Sequence, residues 1–179
     1  MSPSPSRLLF LLSGEIRHHA EEAGKHGLAL LQGQVPYESL WSTTYSFVYS
    51  AATVASMFTP GNRRKVLADA FPDRPAELRE LFEVDEGDLV GIRELRNDLA
   101  HIDERYEQFW MDDPNHNIVI RLAGRPETVH MEGTRFHCWD PTRGELTFLG
   151  SSVDVSAITV QMGLLARRAE IVCEQLWRA

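Results

Sequence analysis

The chain has 179 residues, 43% hydrophobic and 25% charged, a balance that supports one globular domain with a full core and requires no second one. A formal net charge of -8 excludes a broad basic surface of the kind that coats nucleic acid. Any polyanion must be met by a local basic patch, and the overall acidity slows encounter rather than steering it. The two cysteines, Cys138 and Cys173, are far apart and form no CxxC pair, which fits a reducing compartment and argues against a structural zinc site.

The first six residues alternate Ser and Pro and read as a frayed lead-in. The apolar run 8–12 is too short to span a membrane and meets Glu15, Arg17, His18 and His19 at once. No basic leader or small-residue cleavage site is evident, so the expected location is the cytoplasm, with no membrane partner. Over residues 6–32, Leu8, Leu9, Leu12, Ile16, Ala20, Ala23, Gly27, Leu30 and Leu31 recur at near-helical spacing, which predicts a long amphipathic helix. Gly33, Val35 and Pro36 break it. The segment 37–58 carries Leu40, Trp41, Tyr45, Phe47, Val48, Tyr49, Val54 and Met57 among Ser, Thr and Ala, with almost no charge. It reads as the most buried helix, ended by Thr59, Pro60, Gly61 and Asn62.

Two short helices are expected over 63–82, separated by Pro72 and Pro75, followed by an amphipathic helix over 88–109 with no Pro or Gly after Gly91. After Pro114 the pattern becomes β-prone. The runs 118–120, 128–131, 135–139 and 146–149 are separated by Gly124, Pro126, Gly133 and the turn 140–144, the spacing of a small antiparallel β-meander occupying 117–155. A last helix over 156–178 places Leu164, Leu165, Ile171, Val172 and Leu176 on its apolar side. The predicted architecture is mainly α, one domain over 1–179. It is an up-and-down four-helix bundle with extra short helices and a small antiparallel meander inserted before the last helix.

The helix over 88–109 carries the most specific chemistry. At about 100° per residue, Ile92, Leu95, Leu99, Ile102, Tyr106 and Phe109 share one sector, the core seam. Arg93, Asn97, His101 and Arg105 form the ridge opposite, and Arg96, Ala100 and Glu104 the neighbouring one. A histidine opposite the seam is not a core residue. An arginine and a histidine on one exposed face suit phosphodiester chemistry, because a guanidinium is a permanent bidentate phosphate ligand and an imidazole exchanges a proton near neutral pH. The competing reading is a solvated face whose arginines pair with Glu94, Asp98 and Glu104.

The segment Arg96-Asn97-Asp98-Leu99-Ala100-His101, on the third main helix of an all-α bundle, resembles the signature of the HEPN superfamily (higher eukaryotes and prokaryotes nucleotide-binding). That signature is Arg, four to six residues, then His, commonly with Asn, Asp or His directly after the Arg. The resemblance implies a homodimer in which two motif helices set two Arg/His pairs around one cleft. It also implies metal-independent endoribonuclease activity, with no cofactor, often in a toxin or phage-defence setting with an antitoxin or other protein partner. Carried onto this chain, His101 is the general base for the ribose 2′-OH or the acid for the leaving 5′-oxygen, and Arg96 binds the scissile phosphate. Asn97 orients the phosphate or the imidazole, Arg105 adds phosphate contact, and Arg93 and Glu104 support the site. Members adenylylated by a partner nucleotidyltransferase carry Tyr two residues after the motif His; here that position is Asp103, and Tyr106 is out of register. The alternatives are a non-catalytic HEPN-like module that binds a nucleotide or a protein, and a structural subunit whose Arg96/His101 pair braces a dimer contact.

Other constellations read as structural. Glu15 and His18 give a Glu-x-x-His spacing, extended by His19, Glu22 and His26, but no second copy exists to complete a di-metal bundle site. His116, His130 and His137 lie without ligand spacing in or near the meander, and His137 beside Cys138 is one pair only. Trp41, Tyr45 and Tyr49 form a stripe at i, i+4, i+8 that reads as core rather than as a base-stacking platform.

Overall fold

A computed structural model describes residues 5–59, 64–85, 87–112, 118–124, 134–149 and 151–178. The chain is mainly helical, with a four-stranded sheet placed before the last helix. The elements are α1 (Pro5–Leu31), α2 (Tyr37–Met57), α3 (Lys65–Ala70), α4 (Arg74–Phe82), α5 (Val90–Ala100), α6 (Ile102–Asp112), β1 (Ile118–Ala123), β2 (Thr134–Asp140), β3 (Glu145–Phe148), β4 (Ser151–Asp154) and α7 (Val155–Arg178). Among the described residues no helix is long and apolar enough to cross a membrane.

The seam expected of the first helix is the one that is buried. Ile16, Ala20, Ala23 and Leu30 of α1 pack against α2 on one side and α7 on the other. Small residues at 20, 23 and 27 allow the helices to approach closely. A Cβ on Gly27 would collide with Thr159 Oγ1 of α7, a hydroxyl that donates to the Val155 carbonyl, and would press on Phe47 of α2. Alanine would add about 1 kcal/mol of helix propensity at this position, but only by forcing α1 and α7 apart. Gly27→Ala is therefore expected to lower stability by about 1–3 kcal/mol. Urea denaturation checks this, with Thr159→Ala in the same chain recovering part of the loss. A midpoint unchanged by Gly27→Ala alone would show that the contact yields freely.

Helix α7 departs from its expected face. Met162, Leu165, Ala169 and Val172 are buried, whereas Leu164 and Ile171, read from sequence as core, are 54% and 49% exposed. Those two positions lie on the outer side because the contacts with α1 and α4 select the neighbouring stripe.

The motif helix over 88–109 is not one helix. It ends at Ala100, and His101 leaves helical geometry with φ -115° and ψ 37°, after which α6 begins at once. The hydrogen-bonding rows continue across the break, His101 N donating to Asn97 O at 3.1 Å and Arg105 N to His101 O at 3.0 Å. Beyond the break, α6 lays Tyr106 and Phe109 edge-on against Phe136 of β2, ring centroids 4.6 and 4.8 Å apart. In α5, Ile92 and Leu95 are fully buried against α2 and the sheet, and Leu99, with Ile102 at the start of α6, packs partly against the same core.

The sheet order is β1-β2-β3-β4. The antiparallel pairing of β2 with β3 matches the runs expected at 135–139 and 146–149; β4, at a position where no β-prone run is read, adds antiparallel to β3, and β1 runs parallel to β2, Ile118 opposite Thr134 and Ala123 opposite Trp139. The sheet is therefore mixed rather than an antiparallel meander. A parallel pair is not joined by a tight hairpin; the β-prone run at 128–131 lies outside the described residues. Between β2 and β3, Asp140 Oδ1 accepts from the backbone N–H groups of Thr142 and Arg143 at 2.8 and 3.2 Å, and Gly144 takes φ 64°. This closes the turn read from sequence at 140–144. Trp139, Leu146, Phe148 and Val153 point into the same core as the helices, so sheet and helices share one interior.

Candidate functional site

Helices α2 and α5 pack side by side, and at one end of their contact they open into a cleft of about 470 Å3. Arg93, Arg96, Asn97 and His101 line it from the α5 side, and Ala52, Thr53, Ser56 and Thr59 from the α2 side. The volume lies within the roughly 300–1,000 Å3 range of small-ligand sites. Four of the six residues singled out in the sequence thus share one wall. Arg96 and Asn97 are joined by a long contact from Nη1 to Oδ1 of 3.5 Å, and the Arg96 guanidinium sits 5.9 Å above the ring of Tyr49. That ring fixes the arginine's position by cation–π attraction without neutralising it. Among the described residues neither Arg93 nor Arg96 enters an ion pair, so the wall carries uncompensated positive charge in a protein of net charge -8.

The carboxylates that could have quenched this charge are turned elsewhere. Asp98, largely buried, receives Arg105 Nη2 at 2.9 Å and the Ser151 hydroxyl at 3.1 Å, tying α5 to α6 and to β4. Arg105, expected from its ridge to reach a phosphate, is held in that pair and does not line the cleft. At about 100° per residue Arg105 lies within about 20° of Asp98, seven positions earlier, and that carboxylate holds its guanidinium away from the cleft. Glu104 is also outside the lining, but its carboxylate stands 3.6 Å from His101 Nδ1. His101 itself is exposed, its side chain 59% accessible, at the mouth of the cleft.

The α2 wall was not legible as a site. Tyr49, Thr53 and Ser56 fall at i, i+4, i+7 and form a polar edge on a helix whose only charged residue is Glu38; that period was the available signal. Each hydroxyl already donates along its own chain: Thr53 Oγ1 to Tyr49 O at 2.7 Å, Ser56 Oγ to Thr53 O at 2.7 Å and Thr59 Oγ1 to Ser56 O at 3.5 Å.

The remaining candidates are placed apart from the cleft. His19 and His26 make contacts of 3.8 and 3.6 Å with Glu15 and Glu22 on the exposed side of α1, and His18 stacks edge-on with His19. Among the described residues no three His, Cys, Asp or Glu side chains are grouped to hold a metal. His116 and His130 lie outside the described residues. His137 is buried, 2% exposed, with Nδ1 3.0 Å from the Tyr45 hydroxyl and Nε2 3.4 Å from that of Tyr106. Trp41 and Tyr45 of the aromatic stripe face this ring, at 5.7 and 5.8 Å, while Tyr49 stands beside Arg96. Comparison with protein-family models, with curated proteins and with solved structures returned no match.

Proposed function

We propose that this protein is a HEPN-like, metal-independent endoribonuclease that cleaves RNA by attack of a ribose 2′-OH. In this reading α1, α2, α5 and α7 are the four helices of the bundle. The observation that carries the reading is the convergence of Arg93, Arg96, Asn97 and His101 on one open cleft, with both arginines outside any ion pair among the described residues. Arg96 and Arg93 hold the scissile phosphate and stabilise charge on its non-bridging oxygens as the phosphorus becomes five-coordinate. The His101 imidazole takes the proton from the 2′-OH, the 2′-oxygen bonds to phosphorus, and the bond to the 5′-oxygen breaks. The products are a 2′,3′-cyclic phosphate and a 5′-hydroxyl. Protonation of the leaving oxygen needs a second acid. One imidazole lines the cleft among the described residues, so the acid is assigned to His101 of a second copy facing the first across the motif segment. A toxin or defence role, with an antitoxin as partner, is the setting that the resemblance implies for such an enzyme.

The test is incubation of the purified protein with oligoribonucleotides in EDTA, with analysis of the new ends and of the oligomeric state. Cleavage leaving cyclic phosphate, by a dimer, is expected. Absence of cleavage, a requirement for added divalent metal, or cleavage that survives both Arg96→Ala and His101→Ala overturns the proposal. RNA retention by wild type without any cleavage selects the non-catalytic nucleotide-binding module instead.

A further inference from the structure

The two walls of the cleft have opposite hydrogen-bonding character. The α5 wall offers donors: the guanidinium N–H groups of Arg93 and Arg96 and the amide of Asn97, whose oxygen already faces Arg96. The α2 wall offers acceptors. A serine or threonine hydroxyl has one hydrogen, and those of Thr53, Ser56 and Thr59 are given to the carbonyls of Tyr49, Thr53 and Ser56. What remains on each oxygen is lone-pair capacity. A carbonyl cannot donate, so these assignments follow from the heavy-atom positions. A phosphate, rich in acceptors, is suited to the first wall and has nothing to offer the second.

We infer that the α2 wall is the base-reading half of the cleft. Thr53, Ser56 and Thr59 accept hydrogen bonds from the exocyclic amino group of an adenine or cytosine whose phosphate lies on Arg93 and Arg96. The inference rests on the reading of the α5 wall as a phosphate site and adds a specificity to it. An amino group carries two N–H donors and meets two acceptors one helical turn apart. The keto oxygen of uracil in the equivalent place is an acceptor facing acceptors, and it would be desolvated without a partner. The size of the cleft, about 470 Å3, holds a mononucleotide across its two walls.

Equilibrium binding to the full chain, by calorimetry, tests this with cytidine, uridine, adenosine, purine-riboside and 2′-deoxycytidine monophosphates and with inorganic phosphate. Cytidine and adenosine monophosphates are expected to bind about 10-fold more tightly than uridine and purine-riboside monophosphates, the worth of one or two satisfied hydrogen bonds. The chain carrying Thr53→Val, Ser56→Ala and Thr59→Val, which keeps the wall's shape and removes its acceptors, is expected to bind all of them alike. Equal affinities in wild type, or a preference that persists in this triple variant, overturn the inference while leaving the phosphate site standing. A loss on removing the 2′-OH with no dependence on the amino group assigns the wall to ribose and also overturns it. Nucleotides and inorganic phosphate that bind identically to wild type and to Arg96→Ala sink the phosphate reading and the inference together.

Discussion

His101→Ala is expected to lower the rate of RNA cleavage by about 10²- to 10⁴-fold, the range for loss of a positioned proton-transfer group. Arg96→Ala is expected to cost roughly 10²- to 10³-fold, as for loss of one preorganised group that stabilises transition-state charge. Because the two groups act on the same phosphorane, the double variant should be scarcely slower than the worse single one. Neither change should disturb folding, since both side chains are exposed and surface substitutions cost within about 0.5 kcal/mol. Arg105→Ala separates the cleft from the ridge drawn on an ideal helix. Arg105 is engaged with Asp98 rather than with the cleft, so its removal should slow cleavage by less than about tenfold, consistent with loss of a partly exposed ion pair. Cleavage rates at saturating and subsaturating oligonucleotide, on variants matched for thermal midpoint, measure all four. An Arg105→Ala defect as large as that of Arg96→Ala would mean that phosphate contact extends past the break onto α6.

Why the ridge misled at one position and served at the others is a matter of local against distant forces. The 3.6-residue period is a local property, and it located Ile92 and Leu95 in the core and Arg93, Asn97 and His101 away from it. The interruption at His101 has no Pro or Gly to announce it. It arises where α6 meets β2, through Tyr106 and Phe109 on Phe136, and where Asp98 is claimed by Arg105 and Ser151. Those partners lie up to 53 positions away in the chain, and no window along the sequence contains them. The same distance hides the parallel pairing of β1 with β2, because alternation identifies a strand but not the direction of its neighbour. The turn at 140–144 was legible because Asp140 closes it on its own backbone. On α2 the opposite error occurred. The low charge of the helix identified it as central, which its packing on α1 and α5 bears out, and the same low charge concealed that Thr53 and Ser56 edge a cleft.

Acidification should unfold this protein through His137. Burial among Trp41, Tyr45, Phe148 and Tyr106, and secondarily the positive charge of Arg121, push the His137 imidazole from the ordinary 6.5 down to about 4. The neutral ring suits its surroundings, because one nitrogen donates and the other accepts, and a tyrosine hydroxyl is able to do either. In the unfolded chain the same imidazole binds a proton as pH falls through about 6.5, while the folded protein leaves it unprotonated until about 4. Between those values the unfolded state binds more protons, so stability is fully present above pH 6.5 and is lost as pH falls toward 4. The difference corresponds to roughly 3 kcal/mol, a large part of the stability of a domain this size. Urea midpoints measured between pH 7 and pH 4 should therefore fall steeply in wild type. His137→Asn, which keeps an acceptor for the Tyr45 hydroxyl and cannot be protonated, should flatten the profile in this window even though it begins from a lower stability at pH 7. A variant whose midpoint falls as steeply as that of wild type would place the acid lability in another group. Because Tyr106 is the residue through which α6 reaches His137, and α6 begins directly after His101, the acid transition should loosen the mouth of the cleft along with the sheet. Ligand-free tryptophan fluorescence from Trp41, which stands 5.7 Å from the His137 ring, should report it at the same pH as the loss of RNA cleavage.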